Sequence, residues 1–545
     1  MPDPVHSPTA KTHARVNTPV PERVDVAIIG AGLGGLMAAA RLAKQGRRVA
    51  VLDSHYVAGG CATMFGRGSG SERYAFDIGL HYVGDCGPEG RIPTLLREVG
   101  VEIDWRPLDP DGFDELVFPD LRFRIPASLG LYRDRLVAAF PAEKAGIDRY
   151  VRVLREVDVL GRAGAPRGWR LAWEAATRAR VAAANKGATL GAFLDTCTKD
   201  RRLRAVIAGQ NGDYGLPPSR VSLMLHCGLA NHYFKGAYYP RGGGQVIADK
   251  LADVIEAAGG TVHLRHPVTG IVVESVGPAD GRVAGIRYRS AHSRAEDPDR
   301  VLRSDLVVSN ADLKRTLLEL MPPNAVPSAL RARAEHWEMG GAIFLTCLAV
   351  RGDLGALGAT NYWQFDDYDF DSLYAEGKDG IPPVRGCYIT SATQKDKGTP
   401  GHAPAGIETV EIMALVPGAP EVWGVAQAEV GRPRYRSSAT YQEHKTRIEA
   451  DLVGRLERLF PGSTSDIVHR ESATPVTHSR FTGATAGSGY GLAATPEQFL
   501  ANRPGARGPV AGLYFAGGNL RSGHGISGAL ASGAQAVLAI RRDEK

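Results

Sequence analysis

Val24-Asp25-Val26-Ala27-Ile28-Ile29-Gly30-Ala31-Gly32-Leu33-Gly34-Gly35 is an apolar run that ends in glycines, and Arg48-Val49-Ala50-Val51-Leu52-Asp53 is a second run closed by an acid. A strand, a glycine turn, a helix and a second strand join them. Gly30 permits the tight turn, and Gly32 lets backbone N–H groups approach a pyrophosphate. Gly35 lets the helix lie against the strand. The positive end of the helix, at Leu33 and Gly34, then faces the phosphates, and the Asp53 carboxylate, followed by Ser54, suits a ribose hydroxyl. A bare G-x-G-x-x-G also arises as an ordinary glycine turn. Between a strand, a helix and a correctly placed acid, it predicts an adenine dinucleotide.

The chain has 545 residues, enough for about two to four compact units. Its 43% hydrophobic and 23% charged residues are ordinary for a globular protein. A net charge of +6 is small at this length and, with no lysine-rich run, argues against nucleic acid as a partner. Six cysteines are scattered without a C-x-x-C pair, which reads as free thiols in a reducing compartment, without a disulfide frame or a metal site. Residues 1–22 are expected to be an unstructured tail with no signal-peptide core. No stretch reaches the roughly 18 apolar residues of a spanning helix. The expected location is the cytoplasm, with peripheral docking on a membrane.

Along the chain, a glycine-rich stretch runs from Gly59 to Gly90 and contains a strand-turn at Tyr74–Gly79. From about Arg91 to Ala230 the pattern reads mostly as helices, among them Ser128–Phe140 and Glu143–Val159. An amphipathic helix at Val246–Ala258 precedes strands at Thr261–Leu264 and Gly270–Glu274, a turn at Asp280-Gly281 and a strand at Val283–Tyr288. Leu306–Asn310 reads as a buried parallel strand returning to the first sheet. Ala342–Val350 and Thr409–Val416 suit central strands, with a covering helix at Tyr441–Phe460. The predicted architecture is α/β. A Rossmann-like dinucleotide-binding domain is assembled from discontinuous segments at 23–115, 236–320 and 481–545. A helical insertion at 116–235 and an α+β substrate domain at 321–480 complete it.

Three further features point from a dinucleotide to a flavin. Gly59-Gly60, just past Asp53, offers a second backbone cradle, with a plain loop as the alternative. Arg265-His266-Pro267-Val268 places a backbone edge, at Val268, where an adenine can pair. Near the C-terminus a strand at Gly512–Ala516 empties into Gly517-Gly518-Asn519, and after Gly525-Ile526-Ser527 a helix begins near Gly528-Ala529. Its N-terminal amides suit negative charge on a reduced isoalloxazine.

With these residues the chain resembles the FAD-dependent phytoene desaturase, carotenoid isomerase and retinol saturase group of the amine oxidase superfamily. Phe76-Asp77-Ile78-Gly79-Leu80-His81-Tyr82 resembles the whole group, and Gly59-Gly60-Cys61 leading to Ile78-Gly79-Leu80-His81-Tyr82-Val83-Gly84 looks most like retinol saturase. Ser522-Gly523-His524-Gly525-Ile526-Ser527-Gly528-Ala529-Leu530 looks more like a bacterial carotenoid desaturase. The specific motifs cover about a third of the chain, all in the FAD domain. Two departures leave the direction of reaction open: Ala58 and Cys61 stand where many relatives carry arginines, and Leu80-His81 where desaturases carry a proline.

The resemblance implies noncovalent FAD, with Cys61 beside the cradle, and hydride exchange between flavin N5 and a carbon of a lipophilic polyene or isoprenoid. The electron acceptor is not specified by the sequence. A partner proton needs an acid or base. His81 is the candidate, with packing as its equal alternative. His524 is read as positioning the cofactor, and His226, His232 and His478 as structural. Tyr233-Phe234 and Tyr238-Tyr239 are read as core in preference to a channel wall. The basic stretch Arg152–Lys186, with Trp169 and Trp173, is either a solvated face or a lipid dock. The alternatives in function are a flavin amine oxidase that yields peroxide, and a binding protein that has lost redox chemistry. The complete C-terminal flavin segment counts against the second.

Overall fold

Val26–Ile29 and Val49–Leu52 are buried along their whole length, so both faces must be covered, and they pair in parallel. They are the centre of a five-stranded parallel sheet. Thr261–His263 pairs with Val49–Leu52 on one side; Leu306–Ser309 and then Leu513–Phe515 extend it on the other. The computed structural model describes the chain except residues 1–9, 69–71, 163–172, 174–176, 276–280, 291, 295–296 and 375–379. The helix Leu33–Ala43, ten of whose eleven residues are buried, packs against both Gln245–Ala257 and Gly525–Asp543. On the other side, the antiparallel sheet Val268–Ser275, Gly281–Tyr288 and Arg300–Arg303 packs on Leu306–Ser309. The turn expected at Asp280-Gly281 begins outside the described residues.

A seven-stranded sheet forms the other half. Its order is Ile467–Ala473, Ala342–Arg351, Ile407–Val416, Gly386–Thr390, Asn361–Phe365, Asp114–Phe118, Leu121–Ile125. The two expected central strands are there, and Ala439–Leu459 packs on the sheet. Arg91–Ala230 is mostly helical, as expected, with strands, among the described residues, confined to its first part. Helices form at Leu129–Ala139, Lys144–Arg162 and Leu223–Tyr233. Before them, however, Asp114–Phe118 and Leu121–Ile125 make a hairpin that pairs in parallel with Asn361–Phe365. A boundary at 115/116 would therefore cut a strand. The period-two run Leu121-Arg122-Phe123-Arg124-Ile125 after Pro119-Asp120 carried that signal.

The tail expectation is also corrected in part. Ala10–Asn17 is a helix, with Arg15 only 5% exposed and bonded to Glu256 (2.7 Å) and Asp253 (3.3 Å). Its backbone carbonyl accepts the Leu264 N–H. These partners lie some 240 residues away, and that distant charge complementarity has no local pattern to reveal it. The basic stretch Arg152–Lys186 is described only in part, and Trp169 lies outside the described residues.

Glycine spacing sets the helix crossings. A Cβ on Gly533 would sit 2.2 Å from the Gly34 carbonyl oxygen, while one on Gly161 would meet nothing within 4 Å. Gly533→Ala is therefore expected to lower stability by about 1–3 kcal/mol through overpacking. Gly161→Ala, on an exposed helix face, should leave stability unchanged or raise it by up to about 1 kcal/mol. Urea unfolding of the two variants checks both.

Candidate active site

Backbone comes first at this site. Gly30 has φ +93° and donates its N–H to Leu52 O (2.8 Å); Gly59, at φ +131°, donates to Ala31 O (2.8 Å). Both conformations favour glycine. A Cβ on Gly32 would lie 2.7 Å from Asn310 Nδ2, and one on Gly34 would lie 2.6 Å from Asn310 Oδ1 and 2.8 Å from Gly517 N. Gly32 caps the helix Leu33–Ala43 without a side-chain hydrogen bond, and His524 does the same for Gly525–Asp543. Two helix N-termini thus present amides with no side-chain cap to one space. That donor set suits a pyrophosphate at the first and an electron-rich ring edge at the second.

That space is a single cavity of about 2700 Å³. It is lined by Gly30, Gly32, Leu33, Gly34, Asp53, Ser54, Gly59, Gly60, Cys61, His81, Val268, Gly517, Asn519, Gly525, Ile526, Ser527, Gly528 and Ala529. Gly35 is not among the lining residues. It packs the helix on the turn instead, with room for a Cβ only 2.2 Å from Gly30 O. Asp53 does more than face a ribose: its two oxygens accept the Ala31 N–H (2.6 Å) and the His55 N–H (2.7 Å), bracing the glycine loop. Asn310 was missed by the sequence reading. It follows the parallel strand Leu306–Ser309 at the carboxyl end of the sheet, where ligands bind in this fold, and that position was the available signal.

The F-D-I-G-L-H-Y stretch is held from below. Asp77 is fully buried and accepts the Tyr239 hydroxyl and the Gly244 N–H (3.0 Å). Lys395, also buried, donates to the His81 carbonyl (2.5 Å) and to the Thr390 hydroxyl (2.6 Å). Burial pushes the Lys395 ammonium down, and burial with the Asp77 charge pushes the Glu411 carboxyl up. The His81 ring is 7% exposed, and neither of its nitrogens makes a hydrogen bond. Burial and then the Lys395 charge push its pKa down to about 3, against a weak opposing pull from the Ile78 backbone. His81 is consequently a neutral imidazole at physiological pH, poorly suited to donating a proton.

Beyond His81 the cavity becomes an aromatic slot. Tyr82 stacks on Tyr233 at 4.5 Å between ring centroids, Tyr233 on Phe113 at 5.6 Å, and Tyr388 lies 4.6 Å from Trp363. Tyr233 therefore stands in the channel wall, a correction to the all-core reading, whereas Tyr239 is core as expected. Behind the slot, Asp114 accepts from Tyr82 (3.0 Å), Gln210 (2.7 Å), Trp363 (3.0 Å) and Asn361 (2.9 Å). Burial raises its pKa to about 6 even so. Asp213, in the cavity wall, has Oδ2 2.7 Å from the Tyr82 hydroxyl oxygen, and its pKa is raised well above the carboxylate range by burial and by Asp114. Neither acid was singled out from sequence, because only the folded hairpin brings Asp114 to Asp213.

The remaining histidines sort by contact. His226 bridges Tyr150 (2.8 Å) and Tyr214 (3.3 Å), a structural role. His232 receives the Gly84 N–H (2.9 Å), and His478 lies 3.9 Å from Cys61 Sγ. His524 Nε2 is 3.3 Å from the Asp213 carbonyl oxygen, and burial pushes its pKa down to about 4.

A parallel sheet carrying a dinucleotide cradle, joined by one cavity to a second domain, defines an FAD-dependent oxidoreductase fold. Residues 28–99 match the NAD(P)-binding Rossmann-like domain. The chain is 30% identical to human all-trans-retinol 13,14-reductase, over 87% of this chain and 78% of that protein. It is 27% identical to the neurosporene-forming phytoene desaturase of Cereibacter sphaeroides, over 93% and 92% of the two chains. Cyclohexylamine oxidase from Brevibacterium oxydans shares the fold, with a TM-score of 0.59 at 18% identity over 96% of this chain and 100% of that one. The chain belongs to the retinol saturase and phytoene desaturase family of flavoenzymes, and its cofactor is FAD.

The cradle predicts a direct result. Gly32→Val should yield folded protein that purifies without the visible absorption of oxidised flavin, because the side chain fills the pyrophosphate approach. A yellow variant with full flavin content would refute the placement.

Proposed function

We propose that this enzyme exchanges two electrons with a C–C bond of an elongated lipophilic polyene, of the retinoid or carotenoid kind on which its relatives act. The observation that carries this is the continuity of the cavity. Its volume of about 2700 Å³ far exceeds the ~1,000 Å³ upper range for a single drug-sized ligand. It thus has room for a dinucleotide and a long second molecule end to end. Past the glycine cradle its wall includes Leu345, Trp363, Phe365, Tyr388 and Met413, apolar surface that suits a polyene.

FAD, when bound, supplies hydride-exchanging chemistry at its ring system. This chain's residues do the rest. The unspent amides at Gly525–Ser527 stabilise negative charge at the ring edge. The Tyr82–Tyr233 stack and Trp363 hold a flat conjugated chain in register. Burial of the slot keeps water out. The amine oxidase alternative fits less well, because the relatives matched along most of the chain are a retinol reductase and a phytoene desaturase. Likeness to amine oxidase structures concerns the fold alone.

Docking on an anionic lipid surface is part of the same reading. Trp173 is 52% exposed, with the Arg178 guanidinium 5.6 Å from its ring centroid, the pairing of an interfacial anchor. No helix among the described residues is long and apolar enough to cross a membrane. Trp173→Ala is expected to weaken co-sedimentation with anionic vesicles without altering FAD content.

An anaerobic titration tests the central claim. Polyenes of graded length are expected either to bleach the oxidised flavin band or to restore it from the reduced enzyme. Bleaching by primary amines, with polyenes inert in both directions, would overturn the proposal in favour of amine oxidation.

A further inference from the structure

Tyr82 has one hydroxyl hydrogen and two carboxyl neighbours, Asp213 Oδ2 at 2.7 Å and Asp114 Oδ2 at 3.0 Å. The hydrogen serves one contact only. The other is a hydrogen bond only if that carboxyl is itself protonated. Hydrogen-bond polarity decides which. Lys395 donates to Thr390, Thr390 donates to Asn361 Oδ1 (2.8 Å), and Asn361 Nδ2 donates to Asp114 Oδ1. With Gln210 and Trp363 on its second oxygen, Asp114 already accepts three bonds besides that of Tyr82. Asp213 has, besides Tyr82, one further phenol, Tyr233. Asp114, with three donors of its own, is the acceptor-only carboxylate, and the shared proton resides on Asp213.

Asp213 also sits where chemistry would use it. Asp213 lines the cavity, and its backbone is tied to the flavin side, the carbonyl meeting His524 Nε2 at the head of the C-terminal helix. The preceding Gly212 carbonyl accepts the Tyr490 hydroxyl. The groups that face Asp213 are the Asp114 carboxylate, the His524 imidazole and the phenols of Tyr82, Tyr214, Tyr233, Tyr374, Tyr388 and Tyr490. None of these is a cation at neutral pH. The Lys395 charge acts on Asp114.

Building on the polyene reading above, we infer that Asp213 is the catalytic acid of the second half of that reaction, and that the enzyme runs by preference as a saturase. One carbon of the double bond takes a hydride from reduced FAD, and the neighbouring carbon takes the proton of the Asp213 carboxyl. The π pair becomes the new C–H bond, the cofactor is left oxidised, and Asp213 is left as carboxylate. The reductant is the two-electron-reduced cofactor, regenerated by an external two-electron donor. Asp114 and Tyr82 are positioning residues. After transfer, two carboxylates would share a single phenol hydrogen, and their repulsion draws a proton back onto Asp213. Desaturation is the same path reversed and needs Asp213 to begin ionised.

The test uses FAD-loaded enzyme, reduced anaerobically with dithionite, mixed with all-trans-retinol and followed at the flavin band. Wild type should reoxidise at neutral pH faster than the same polyene reduces its oxidised form. Asp213→Asn should slow reoxidation by about 10²- to 10⁴-fold, with polyene affinity changed by less than about threefold. Infrared spectra at pH 7 should show one carboxylic-acid C=O band fewer in that variant. Asp114→Asn removes the neighbouring charge that holds the Asp213 proton, so the alkaline limb of the pH–rate profile should move to lower pH; this shift carries the test should Asp213→Asn fail to load FAD. Reoxidation of Asp213→Asn within about threefold of wild type, an unchanged infrared band, or a polyene that only reduces the oxidised enzyme would overturn the inference. Wild type inert to polyenes in both redox states would remove the functional reading and the role of Asp213 with it, while leaving the infrared difference in place, so the two failures are distinguishable.

Discussion

The close approach of three backbones at the glycine turn is the constraint on which the rest depends. Gly34 lies so near Gly517 and Asn310 that a Cβ would clash with both, and Gly533 meets the Gly34 carbonyl in the same way. These contacts draw residues near the two ends of the chain into one sheet-and-helix layer. They also leave the N-termini of Leu33–Ala43 and Gly525–Asp543 opening onto the same cavity. A side chain at either crossing would part the helices and move both sets of amides at once. The phosphate end and the ring end of the cofactor site are therefore fixed by a single packing decision.

The seven-stranded sheet answers to a different demand. Its inner side must be apolar enough to take a polyene and still hold groups that act on it. The wall is accordingly built of aromatic rings whose polar tips are taken up by carboxyls, Tyr82 by the two aspartates and Trp363 by Asp114. Aromatic side chains combine a large apolar body with a directional polar end. The hairpin Asp114–Phe118/Leu121–Ile125 matters here because it carries Asp114 to the edge of Asn361–Phe365, where Asn361 and Trp363 can reach it.

Legibility followed the range of the interactions. The fingerprint, the flavin segment and the buried strands were readable because glycine spacing and apolar runs are local signals. All the expected cofactor residues except Gly35 line one cavity. Gly35 misses it for the reason first given for that glycine, its close packing against the turn. The helix Ala10–Asn17, Asn310 and the Asp114–Asp213 pair depend on partners distant in sequence. No window of residues reveals that Arg15 will meet Glu256, or that a carboxyl in a hairpin will share a phenol with one about a hundred residues later. The hairpin itself was the exception: its alternation was local, and the helical reading of the surrounding residues obscured it.

Two buried acidic clusters flank the F-D-I-G-L-H-Y stretch, and comparing them separates scaffold from chemistry. Asp77 and Glu411 are buried with Lys395, which offsets their charge, and Asp77 is further spent on Tyr239 and Gly244; none of the three lines the cavity. Asp114 is buried and Asp213 half-buried, both among neutral donors, and Asp213 lines the cavity. Burying a second carboxyl without a cation is costly unless it keeps its proton. The Lys395–Thr390–Asn361–Asp114 chain carries the influence of the one ammonium only as far as the rear carboxylate. A scaffold alone would gain from an uncharged residue at the front position. An acid there, kept protonated by its neighbours and open to the slot, is useful to a reaction that must place a proton on carbon away from water.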